Sequence, residues 1–115
     1  SNRTALVRVP EAGSLEATRF EYRGGDLSGS VHLLGAVLLA AVLAGIEEGL
    51  TLVPNTDTNI EKLSDEERKE RGVGAVPLTI FDCITVLKTS HFLQGALGPE
   101  MVQFSIQRDE ELLQK

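Results

Sequence analysis

The sequence predicts an α+β chain, a short N-terminal β-hairpin followed by about four helices, and three observations carry that prediction. Ala17 to Arg23 alternates in character, with Thr18, Phe20 and Tyr22 on one side and Arg19, Glu21 and Arg23 on the other. Leu33 to Ile46 is a run of 14 uncharged residues dominated by helix formers. Beyond Gly49, helix starts punctuate the chain at Ser64-Asp65-Glu66-Glu67, at Pro77 and at Gly98-Pro99. All strand character precedes all helix character, which fits neither a sandwich nor a doubly wound sheet.

The first strand of the hairpin is Ala5-Leu6-Val7-Arg8-Val9, ended by Pro10, which has no N–H to give to a ladder. Glu11 to Ser14 reads as a turn, and Ala17 to Arg23 forms the second strand. Gly24-Gly25-Asp26 and Ser28-Gly29-Ser30 break that strand, and Ser30 is placed to cap the helix that follows. This helix is expected from about Val31 to Glu48 and is apolar on every side, so it should be buried. At 1.5 Å per residue its uncharged run spans roughly 21 Å, short of the roughly 30 Å hydrocarbon layer, which argues against a membrane span. The hundred or so other residues supply too few neighbours for such a helix, so further subunits or further sequence are expected around it.

Thr51 to Asn59 reads as a loop, with Pro54 and Asn55 as turn signals. Ser64 and Glu67 form a capping box opening a short charged helix that ends near Gly72. Pro77 is expected in the first turn of the next helix, with Leu78, Phe81, Ile84 and Leu87 or Lys88 as its apolar period. Ser90-His91-Phe92-Leu93 adds one more turn. The last helix follows Gly98-Pro99-Glu100, packing through Val102, Ile106 and Leu113 with Met101 and Phe104, a stripe that Asp109 interrupts.

Composition narrows the function. The 115 residues carry 11 basic and 17 acidic side chains, and a net charge of −6 argues against a nucleic-acid partner, since phosphate backbones are held by basic patches. The single cysteine, Cys83, excludes an intrachain disulfide and a thiolate cluster, and is expected to be a buried thiol. Ser1-Asn2 lacks the basic flank and apolar run of a signal peptide. His32 and His91 recur in no acid–base–nucleophile spacing and read as structural. The glycine pairs meet no phosphate-loop pattern.

The arginines are the strongest chemical signal. The first 61 residues hold Arg3, Arg8, Arg19 and Arg23 and no lysine, all in or beside the two strands. A guanidinium is a rigid five-donor fork suited to phosphate or carboxylate. Arg19, Glu21 and Arg23 share one face by alternation, with side-chain origins roughly 7 Å apart. A carboxylate between two arginines should stay ionised and can ligate a divalent cation through a hard oxygen. Two plainer readings stand beside this one: a wet strand face, and a cross-strand ion pair.

Several motifs resemble the glutamine synthetase family. Asn2-Arg3-Thr4-Ala5-Leu6-Val7-Arg8-Val9-Pro10 is similar to its N-R-S-A-x-x-R-I-P segment, and Arg19-Phe20-Glu21-Tyr22-Arg23 to its R-I-E-x-R strand. Asp26 to Glu47 resembles a D-x-x-x-N-P-Y turn and an Ala/Leu-rich helix ending in G-I. Val76-Pro77-Leu78 with Leu87 and Ser90 resembles an L-P-x-S-L-x-x-A-L helix, and Leu97-Gly98 with the acidic last helix resembles the end of the catalytic domain. The resemblance implies that residues 1–115 are the C-terminal segment of a glutamine-synthetase-like catalytic half-barrel domain. It further implies an ATP-dependent ligase joining glutamate to ammonia, or another amine, through a γ-glutamyl phosphate. Such a ligase uses ATP with Mg2+ or Mn2+ and works as a cytoplasmic homo-oligomer.

By the same resemblance, Arg3 would stabilise the transferring phosphoryl group, and Arg8 and Arg19 would lie on the ATP phosphates. Glu21 would ligate the metal, and Arg23 would hold the α-carboxylate of glutamate. Three departures stand out. Glu16 replaces a frequent lysine, Ser30-Val31-His32 replaces Asn-Pro-Tyr, and Glu61 falls near a tyrosine that some bacterial members adenylylate. They are compatible with a divergent member or an inactive relative. An isolated segment is expected to be inactive. The competing reading is a non-catalytic small-anion-binding or structural module.

Overall fold

The computed structural model describes residues 4–26, 28–52 and 58–114. It has an N-terminal antiparallel hairpin followed by helices, as the sequence predicts. The chain divides into two compact units, one within residues 1–29 and 51–74 and one within 30–50 and 75–115.

In the first unit, β1 (Val7–Arg8) pairs with β2 (Glu21–Tyr22), with Val7 opposite Tyr22 and Arg8 opposite Glu21. Both strands are shorter than the predicted Ala5–Val9 and Ala17–Arg23. Pro10 ends β1, and a turn consumes the start of the second segment: Thr18 donates its N–H to the Leu15 carbonyl at 3.0 Å and its hydroxyl to the Ser14 carbonyl at 3.2 Å. Just past the ladder, Arg23 N–H still donates to the Leu6 carbonyl at 2.8 Å. Gly24 follows where a Cβ would stand 2.6 Å from the Tyr22 hydroxyl oxygen and 2.8 Å from Leu6 Cδ1, so the absent side chain leaves room for both.

A 3-10 turn at Ile60–Lys62 is capped by the Asn59 side chain and tied to the residues before β1, Ile60 N–H donating to Thr4 Oγ1 at 3.2 Å. The predicted capping box is present in α2 (Asp65–Glu70): Glu67 N–H donates to Ser64 Oγ at 3.2 Å and Ser64 N–H to the Glu67 carboxylate at 2.8 Å. At Gly72 (φ 66°) the helix closes, with Gly72 N–H on the Lys69 carbonyl and Val73 N–H on that of Arg68. Among the described residues of this first unit, Pro10 and Leu63 are the buried apolar ones.

The second unit is helical. Ser30 caps α1 (Val31–Glu47) as predicted, and the helix ends at Gly49 (φ 62°), whose N–H donates to the Ile46 carbonyl while Leu50 N–H donates to that of Gly45. The next helix, α3 (Ile80–Thr89), starts three residues beyond Pro77. Its start is fixed by Thr79, whose Oγ1 accepts from Asp82 N–H while the Asp82 carboxylate accepts from Thr79 N–H at 3.0 Å. Pro77 therefore precedes the helix. The extra turn expected at Ser90 is a full helix, α4 (His91–Leu97), and Ser90 both ends α3 and caps α4. Gly98 (φ 82°) then turns the chain into α5 (Pro99–Leu113), with Pro99 in its first turn.

The core joins Ile84 of α3 to Val102 and Ile106 of α5, with Leu87 and Leu97 packed against them, and α1 lies against α4. Three expectations are corrected here. The buried row of α5 is Val102, Ser105 and Ile106, continued by Asp109 at 15 % exposure, whereas Met101, Phe104 and Leu113 are exposed. Phe104 falls a turn-fraction outside that row, at a position the three-to-four period skips. Phe81 and Leu78 are exposed likewise. Cys83 is exposed, because it sits about 100° round the helix from Ile84.

The α1 helix has no fully buried residue in this chain, in keeping with the expectation that the other residues supply it too few neighbours. Leu33, Leu34, Val37 and Leu38 are half-covered, while Leu39 and Ile46 remain 61 % and 71 % exposed. No described helix is long and apolar enough to cross a membrane.

Candidate phosphate and metal site on the hairpin

The hairpin register sets Arg8 directly across the ladder from Glu21. Arg8 Nη1 donates to Glu21 Oε2 at 2.8 Å, and Arg19 Nη2 approaches Glu21 Oε1 at 3.5 Å. One carboxylate thus meets two guanidinium groups, each through a different oxygen. Arg8 and Glu21 are half-buried, with side chains 25 % and 35 % exposed, and Arg19 is open at 58 %. Glu21 therefore faces the solvent margin of the hairpin and not an apolar core.

The carboxyl of Glu21 is held below its ordinary range first by the Arg8 hydrogen bond; partial desolvation opposes this, and the charges of Arg8, Arg19 and Arg23 reinforce it. The expected ionised carboxylate is present, although its main partner lies across the ladder and not two residues along the strand. Arg23 adds its charge from an exposed position. Arg3, the residue expected at the transferring phosphoryl group, lies outside the described residues.

Register supplies the cross-strand ion pair that the sequence offered as a plainer reading, and makes Arg8 the partner. Alternation along one strand put Glu21 with Arg19 and Arg23, but only the pairing of β1 with β2 puts Arg8 opposite it. A further tie, from Thr4 to Ile60, joins residues 56 apart and has no local signal. Glu16, standing where a lysine is frequent, is drawn to its own turn: hydrogen bonds from its own N–H and from Ser14 hold its carboxyl low. Glu61 is exposed in the 3-10 turn. His32 and His91 are both exposed in the first turns of their helices.

Chemically, the cluster offers guanidinium forks for an anion and a single hard-oxygen ligand for a cation. Among the described residues, no three His, Cys, Asp or Glu side chains gather into a metal-binding group. The donor set fits a divalent cation as one of its ligands and leaves the other ligands to be supplied elsewhere. A separate hollow between α4 and α5, lined by Leu97, Gly98, Pro99, Glu100, Met101 and Phe104, has no cationic group for a phosphate.

Residues 1–114 match the family model described as glutamine synthetase, catalytic domain. Among similar proteins, the glutamine synthetase of Methanocaldococcus jannaschii is 37 % identical over 102 residues, covering 89 % of this chain and 22 % of that protein. That of Clostridium saccharobutylicum is 37 % identical over 97 residues, 84 % of this chain and 22 % of the relative. That of Mycolicibacterium smegmatis is 34 % identical over 106 residues, 90 % of this chain and 24 % of the relative. The chain thus spans about a quarter of the length of these relatives. With its hairpin, its helices and a match that runs over nearly every residue, the chain belongs to the glutamine synthetase catalytic-domain family.

Proposed function

We propose that the chain is the C-terminal segment of the catalytic domain of an ATP-dependent ligase that joins ammonia, or another amine, to the γ-carboxylate of glutamate. Its contribution is electrostatic. Arg8 and Arg19 hold ATP phosphates, Arg23 holds the α-carboxylate of glutamate, and Arg3 neutralises charge on the phosphoryl group in transfer. A γ-carboxylate oxygen attacks the terminal phosphorus as ADP leaves, and the amine nitrogen then displaces phosphate from the acyl phosphate. Glu21 would be one ligand of Mg2+ or Mn2+, which would supply Lewis-acid neutralisation of the phosphates when bound. The whole protein is a homo-oligomer, and the segment alone does not turn over, because one carboxylate cannot hold the cation by itself.

The observation that carries this reading is the half-exposed Glu21 carboxylate, bonded to Arg8 at 2.8 Å and close to Arg19 at 3.5 Å. The test is phosphate release from Mg-ATP by the full-length protein carrying this segment, with glutamate and ammonia. Release should depend on both, and Arg8→Gln or Glu21→Gln should lower it about a hundredfold or more, the usual loss when a preorganised electrostatic contact is removed. Phosphate or ATP binding with no glutamate-dependent release would instead identify an anion-binding module.

A further inference from the structure

The ion pair on the hairpin has a consequence for how ligands bind there. Glu21 places one oxygen on Arg8 and the other on Arg19, so the groups suited to an anion and the group suited to a cation occupy one another. A phosphate drawing the guanidinium groups must compete with the Glu21 carboxylate for them. A cation drawing Glu21 must compete with the two guanidinium groups in turn. Each ligand therefore weakens the Glu21 contacts that oppose the other.

We propose that Glu21 is a reciprocal mask on this site: it suppresses phosphate binding until a divalent cation draws it from Arg8 and Arg19, so cation and phosphate bind cooperatively. The inference rests on the ligase reading for its ligands, but it concerns binding and not turnover. Linkage requires the coupling to be equal in both directions, so phosphate strengthens cation binding by the same factor. The site is open enough for the exchange, Arg19 and Glu21 being partly solvent-exposed and the Arg19 contact long.

The experiment is calorimetric titration of the full-length protein with β,γ-methylene-ATP, first in EDTA and then in Mg2+. If the mask exists, Glu21→Gln binds the metal-free analogue roughly two- to fivefold more tightly than wild type, the scale of a partly exposed ion pair. The enhancement given by Mg2+ then shrinks. Glu16→Gln removes an equal charge from the same segment and should change neither quantity. Unchanged or weaker metal-free binding by Glu21→Gln, with melting temperature retained, overturns the proposal, as does an equal gain in Glu16→Gln.

If Glu21→Gln does not fold, Arg8→Gln decides from the other side. Without nucleotide it should bind Mn2+, followed by its electron paramagnetic resonance signal, more tightly than wild type; no gain rejects the mask. Absence of glutamate-dependent phosphate release in wild type would reject the ligase reading while leaving these binding results to be judged on their own.

Discussion

The two units of this chain are held together by different forces. The unit within 30–50 and 75–115 has a packed centre, Ile84 against Val102 and Ile106, and its helices are ordered around that contact. The unit within 1–29 and 51–74 has a two-rung ladder, an ion pair, capping bonds and little buried apolar surface. Every described residue of the candidate site belongs to the second kind. Ion-binding side chains must remain solvated and able to change partners, so they are found where packing does not fix them.

That contrast can be broken most forcefully at the core. Ile84→Ala should destabilise the helical unit by about 3 kcal/mol, read as faster amide exchange in α3 and α5. Exchange across the Val7–Tyr22 ladder should be unaffected. If the hairpin amides accelerate equally, the two units are one cooperative body. A smaller effect is expected at the α3 cap, where Thr79→Ala should cost about 1 kcal/mol and fray the first turn of α3.

Acid sharpens the comparison further. Glu21 and Asp82 both ionise more readily in the folded chain, Glu21 chiefly through Arg8 and Asp82 chiefly through the Thr79 hydroxyl. Their contributions are complete above the ordinary carboxylate range and are lost as pH falls through the lowered folded values. NMR titration should therefore show the hairpin and the α3 cap intact at pH 6 and loosening together in strong acid. The smallest effect belongs to Lys88, whose 2.6 Å bond to Glu110 is exposed: Lys88→Ala should change stability by about 0.5 kcal/mol or less in urea melts.

Several helix starts were readable from local pattern. Ser30, the Ser64–Glu67 box and Gly98-Pro99 all act as their local pattern implies. The start of α3 shows two local signals in competition: Pro77 tolerates a first turn, but Thr79 and Asp82 actively bond one, and the bonded cap prevails. Apolar periodicity was less informative about burial. Phe104 and Met101 are apolar yet exposed, while Ser105 is buried and Asp109 nearly so, because the row facing Ile84 is chosen by the neighbouring helix and not by hydrophobicity alone.

The α1 helix marks the limit of that reading in a different way. Its uniform apolarity predicts a buried element, and among the described helices α4 is the one it packs against most closely. A chain spanning about a quarter of its relatives' length offers it few other partners. Leu39 and Ile46 accordingly stay exposed on this helix.

Local patterns along the chain were enough to give the order of hairpin and helices, most helix caps, and the presence of arginines around one acidic residue, since each depends on groups a few positions apart. Contacts across the fold settled that Arg8 is the principal partner of Glu21, that Cys83 lies outside and Asp109 mostly inside, and that α1 is only half-covered in this chain. Those outcomes depend on strand register and on which helix faces which, and both are set by contacts between residues distant along the chain.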